Sequence, residues 1–121
     1  MKIPEYSYQS TIMSASEWNN LISESQQINL IQSWEYGEAK ALTSSWQVER
    51  GVISDNNQVI GAAQTMIRHA PAGTGGMAWI NRGPLLLNQD LKTDVHFAPM
   101  MTALKVHFVE QKRLYHYLQD Q

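Results

Sequence analysis

Trp46-Gln47-Val48-Glu49-Arg50-Gly51-Val52-Ile53-Ser54 is a strand-like run, and Asp55-Asn56-Asn57 behind it is a turn signal. Asp and Asn tolerate left-handed backbone angles and hydrogen-bond their own main chain. Gln58 to His69 forms a second strand, in which Val59, Ile60, Ala62, Ala63, Met66 and Ile67 are apolar without strict alternation. A strand buried on both faces has that pattern. Residues 70–76, Ala-Pro-Ala-Gly-Thr-Gly-Gly, exclude regular structure. Met77-Ala78-Trp79-Ile80-Asn81 follows as a third short strand, closed by Arg82-Gly83-Pro84. Two strands around a tight turn, with a third after a Gly-rich loop, predict an antiparallel β-meander.

Upstream of the meander the pattern turns helical. Tyr6, Tyr8 and Ile12 suggest a short extended piece first. Ser14-Ala15-Ser16-Glu17 has the form of a capping box, with Trp18, Leu21 and Ile22 at helical spacing behind it. A second helix covers most of Gln32 to Leu42. Gly37 weakens it by about 1 kcal/mol relative to Ala, so it either breaks the helix or admits a close neighbour. Downstream, Phe97, Met101, Leu104 and Phe108 recur at steps of four, three and four. They predict a long amphipathic helix, with Asp94 as cap, Pro99 near its start and apolar surface continuing to Tyr115 and Leu118.

The 121 residues fit a single domain over 1–121, and 43% hydrophobic content is enough for one core. There is no Cys, which excludes disulfides and thiolate metal sites. A net charge of −2 argues against a dedicated nucleic-acid binder, which needs clustered Lys and Arg. No apolar run approaches the roughly 18 residues of a membrane span, and the N-terminus lacks the apolar core of a signal peptide. The expectation is a soluble, cytoplasmic chain of α+β class.

Few residues carry a chemical signal by themselves. Gly73-Thr74-Gly75-Gly76 lacks the following Lys and helix of a phosphate loop, so it reads as a loose connection. His69, His96, His107 and His116 show no metal-ligand spacing, and no metal is expected. Ser44 and Ser45 have no nucleophile-elbow setting. Arg82, with Gly83 permitting close approach, suits phosphate or carboxylate recognition, although a surface Arg before a turn fits the same residues. Lys40 sits near Glu35 and Glu38, where a snorkelling surface Lys is the plain reading.

Taken in order, Ser33-Trp34-Glu35-Tyr36-Gly37-Glu38-Ala39-Lys40, then Trp46, then Ile60-Gly61-Ala62-Ala63-Gln64, then Ala78-Trp79-Ile80-Asn81-Arg82-Gly83-Pro84-Leu85 resembles the FemAB-like transferases. These are peptidoglycan interpeptide-bridge aminoacyltransferases built from GNAT (acyl-CoA N-acyltransferase) folds. The resemblance covers about residues 14–110. It implies a strand, two helices, a three-stranded antiparallel meander and a long C-terminal helix, together the N-terminal half of a GNAT-like domain. It implies transfer of an acyl or aminoacyl group to an amine of a cell-envelope precursor. Lys40 matches the family Lys that contacts the phosphates of a nucleotide-linked precursor, and Arg82 and Gly83 fall on its basic-Gly-Pro signature. Main-chain groups of Ala78, Trp79 and Ile80 would face the acyl donor.

The pyrophosphate loop of the acyl-CoA enzymes, Arg/Gln-x-x-Gly-x-Gly/Ala, is absent here, as it is in FemAB-like enzymes, which use aminoacyl-tRNA. No tightly bound cofactor is expected, and no catalytic residue is assigned. The resembled fold continues with further strands, so this chain is expected to be incomplete alone; the alternative is a non-catalytic half-fold that binds a partner or precursor. An unpaired strand at 77–81 and an uncovered helix stripe then predict a homodimer through residues 77–87 and 95–118.

Overall fold

The protein is described by a computed structural model that covers residues 6–25, 32–44, 46–70, 75–81, 83–87, 93–111 and 115–119. The first strand, β1 (Tyr6–Thr11), is followed by helix α1 (Ala15–Ile22). The Ser14 hydroxyl accepts the Glu17 amide at 3.2 Å, and a Glu17 carboxylate oxygen accepts the Ser14 amide at 2.8 Å. This is the expected capping box, and it satisfies two amides that the first helical turn leaves unpaired. Helix α2 (Trp34–Thr43) starts at Ser33, whose hydroxyl accepts the Tyr36 amide.

The meander is β2 (Gln47–Asp55), β3 (Gln58–His69) and β4 (Gly76–Asn81). Asp55 pairs with Gln58 across a two-residue turn in which Asn56 has φ 50° and Asn57 φ 70°. Two successive positive φ angles make the hairpin turn whose twist suits the strands, which is why Asn-Asn stands there. The strand Leu85–Leu86 (β5) also pairs with β3, opposite Gly61 and Ala62. One flank of β3 is thus shared by β4 at its end and β5 near its start, with the Gly83–Pro84 cis peptide between the two.

Helix α3 (Thr93–Lys105) runs into a π-helical segment, Val106–Gln111. It covers one sheet face, packing Met100, Ala103, Leu104 and Phe108 on Ile53, Ala63, Ile67, Ala78 and Ile80. The opposite face carries α1 and α2, through Trp18, Ala62 and Leu87 with Trp34 packed alongside. The α+β class and the order of strand, helices, meander and helix are as expected.

Several expectations near the C-terminus need correction. The chain from Tyr115 to Gln119 is a strand, β6, rather than a continuation of the helix. It pairs in parallel with Met77–Asn81, so the sheet order is β1-β2-β3-β4-β6. Strand β4 is therefore interior, with hydrogen-bonded neighbours on both sides. Asp94 is the second residue of α3 rather than its cap, and Pro99 lies inside the helix. Leu104 and Phe108 are fully buried within the chain, while Phe97 and Met101 are partly buried. Of the two grounds for the homodimer, the strand 77–81 is paired by β6, and the stripe is buried at Leu104 and Phe108 and partly buried at Phe97 and Met101. Among the described residues of the expected interface ranges, the large apolar residues that are exposed are Met77, Val95 and Val106.

Candidate functional site

Lys40 and Gly37 lie on α2, above the face of the sheet that holds Arg50 and Gln64. The Lys40 ammonium stands 5.9 Å from the Tyr36 ring centroid, one turn back, and the side chain is half-buried. Gly37 has no room for a side chain. A Cβ there would lie 2.5 Å from Gln64 Oε1 and 2.8 Å from Arg50 Nη2. Gly37 thus serves close approach and does not break the helix.

What approaches is a buried polar network. Arg50 donates from Nε to Gln64 Oε1 at 2.8 Å and from Nη2 to the Trp34 carbonyl and Glu38 Oε2, both at 3.2 Å. Its guanidinium lies 3.7 Å from the Trp34 ring centroid. Burial pulls the Arg50 pKa down, and Glu38 opposes that shift. A buried cation needs a partner and filled donors, and the α2 segment supplies them. Gln64 also donates from Nε2 to the Ser33 carbonyl.

Gln32 completes the network. Its Oε1 accepts the Gln64 amide at 2.7 Å and its Nε2 donates to the Gln64 carbonyl at 3.2 Å. The side-chain amide stands in for the missing strand residue between β4 and β5, and Trp18 Nε1 donates to the Gln32 carbonyl at 2.8 Å. Gly83 makes this possible, since a Cβ there would meet the Gln32 amide at 3.2 Å and Ile80 Cγ2 at 3.0 Å. Gly83 is buried, and the group it admits is Gln32 rather than a ligand.

Arg82 lies outside the described residues, so its convergence with Lys40 is not described. Ala78 and Ile80 are buried under α3, and the strand that carries them with Trp79 pairs with β3 on one side and β6 on the other. Trp79 packs on Trp46 at 5.9 Å, and the Arg68 guanidinium lies 4.2 Å from the Trp46 ring centroid. A depression of about 360 Å³ opens beside the network, lined by Ser10, Thr11, Met13, Trp34, Glu49 and Arg50 among others. Among the described residues no cluster of His, Asp and Glu could hold a metal ion. No helix among them is long and apolar enough to cross a membrane.

Sequence reasoning singled out Lys40 and Gly37 but missed Gln32, Arg50 and Gln64. The available signal was a Gln in the middle of the apolar run Ile60 to Ile67, since a polar residue there must find a buried partner.

The model of the FemAB family matches residues 13–118. Among solved structures, the crystal structure of FemX is similar with a TM-score of 0.58 and 19% sequence identity. The similarity covers 88% of this chain and 25% of that one, so the chain spans about a quarter of FemX. No curated protein sequence matches it.

Proposed function

The chain belongs to the FemAB family, and from that premise we propose that it serves aminoacyl transfer to an amine of a cell-envelope precursor, as in peptidoglycan bridge synthesis. The observation that carries the reading is the family match over residues 13–118, which includes Lys40 and the Arg82-Gly83-Pro84 signature. The fold likeness to FemX supports the scaffold. In this reading the donor is an aminoacyl ester of tRNA, the setting is the cytoplasm, and Lys40 and Arg82 hold the phosphates of a nucleotide-linked peptide. A half-buried Lys on α2 suits that task, because phosphate binding needs a cation whose stem is packed.

Isothermal titration of the chain with a nucleotide-linked pentapeptide tests it. Binding is expected, and Lys40→Ala and Arg82→Ala should each weaken it by about 1.5–3 kcal/mol, the worth of a charge-assisted bond. No heat with the precursor, or unchanged affinity in both variants, would remove the reading.

A second reading, precursor binding without turnover, is favoured by the closed pairing of β4 with both β3 and β6. An acyl donor that needs the main chain of that strand would have to displace β6. Precursor binding without product formation when charged tRNA is added would select this reading.

A further inference from the structure

On the α3 side of the sheet, away from Lys40, three polar side chains meet at one carboxylate oxygen. Oε2 of Glu49 accepts the Tyr8 hydroxyl at 3.0 Å and lies 2.9 Å from Nε2 of His107. The His107 and Glu49 side chains are 13% and 18% exposed. A carboxylate has no proton to donate, so Nε2 carries a hydrogen toward Glu49, and in the neutral imidazole Nδ1 then holds the lone pair. Nδ1 has no hydrogen-bond partner among the described residues, and it is not sealed from solvent.

The imidazole is also held in orientation. The Tyr8 ring lies 4.6 Å from it, and Phe108 meets it edge-on at 4.6 Å. His107 belongs to the π-helical segment, a geometry that recurs at functional sites. Thr65 is the direct cross-strand neighbour of Glu49, and its hydroxyl is buried without a partner. This face therefore offers one lone-pair nitrogen with an oriented carboxylate behind it, and one idle hydroxyl beside that carboxylate.

We propose that Glu49 and His107 form a proton-accepting site for an amine substrate, with Glu49 the positioning residue and His107 Nδ1 the acceptor. The amine class rests on the aminoacyl-transfer reading. An ammonium gives one proton to Nδ1, and the freed amine attacks the carbonyl of an aminoacyl ester. A C–N bond forms, the ester C–O bond breaks, the imidazolium proton passes to the departing alkoxide, and the remaining extra proton on the attacking nitrogen leaves to solvent. The imidazole is regenerated, and no oxidant or reductant is needed.

A role confined to fastening α3 to the sheet would not require Nδ1 to be bare or reactive. Long-range proton–nitrogen NMR on the folded chain reads the tautomer directly, and the expected result is the proton on Nε2 of His107. Treatment with diethyl pyrocarbonate, mapped by mass spectrometry, should modify His107. Glu49→Gln should slow that reaction about tenfold, by analogy with the loss of a carboxylate behind a metal-bound His, while exposed His69 reacts at an unchanged rate. A proton on Nδ1, or an unchanged His107 rate in folded Glu49→Gln, overturns the site.

The substrate class is tested separately, by single-turnover transfer from charged tRNA to the nucleotide-linked precursor. His107→Gln should slow transfer and leave precursor affinity unchanged; equal transfer rates would overturn the proposal. If the unaltered chain binds no precursor, the transferase reading fails instead, and the tautomer and the modification rate still decide whether the proton site exists.

Discussion

Gln32 and Gly37 show how much a single side chain, or the lack of one, decides in this molecule. The Gln32 amide satisfies both main-chain groups of Gln64 in the gap between β4 and β5. Gln32→Leu keeps the volume and removes both bonds, leaving a buried amide and carbonyl unpaired. The expected loss is about 3 kcal/mol, read as a lower urea midpoint at unchanged slope. Gly37 gives a test of sign. On an exposed helix Gly→Ala gains about 1 kcal/mol. Here the new methyl would intrude on Gln64 Oε1 and Arg50 Nη2, so Gly37→Ala should destabilise the chain. A stabilised variant would show that the network yields easily.

Among the elements, the helix ends and the hairpin follow local rules, and α3 departs from them. Glu17 has its pKa lowered by the Ser14 amide and hydroxyl. Ser14→Ala removes the cap oxygen and should cost about 1 kcal/mol in thermal or urea unfolding. Asn57, at φ 70°, should accept Gly without loss, whereas Asn57→Val should destabilise the hairpin, because a β-branched residue resists positive φ. Helix α3 tolerates Pro99 in its interior although the ring removes the bond to the Val95 carbonyl. Val95 is 57% exposed, so water can serve that carbonyl. The helix is held by its packed face, Met100, Leu104 and Phe108, more than by its own ladder.

At the scale of the whole molecule, the sheet is covered on both faces, and its polar contents sit between layers. Burial, with Glu49 adding to it, raises the pKa of Tyr8 above the usual value of about 10. The native chain therefore keeps the Tyr8 proton at pH values where the unfolded chain loses it. The stability linked to Tyr8 is full below about pH 10 and falls as the pH rises past that value. Urea midpoints followed from neutral to strongly alkaline pH should decline less steeply in Tyr8→Phe than in the unaltered chain; parallel curves would count against the burial of this phenol. Assembly is a second test at this scale. With β4 paired by both β3 and β6, a dimer through strand 77–81 would have to displace β6. Light scattering at micromolar concentration should then give the monomer mass, 13.8 kDa.

The local features were legible in the sequence because they obey short-range rules. The capping box at Ser14–Glu17, the two-residue turn at Asn56-Asn57 and the strand periodicities each depend on a few neighbouring residues and their backbone preferences. The ordered residues around Gly37, Lys40 and Arg82-Gly83-Pro84 also carried the family. Contacts between residues distant in sequence were not legible. Tyr115–Gln119 has no local property that makes it a parallel partner for β4; only the turn of the chain after α3 brings it there. Glu49, 58 positions before His107, reads as an ordinary strand residue until α3 docks. Gly83 reads as room for a ligand until Gln32 is seen in that space. Hydrogen bonds form between atoms about 3 Å apart whatever their separation along the chain, so buried polar partnerships are decided by packing.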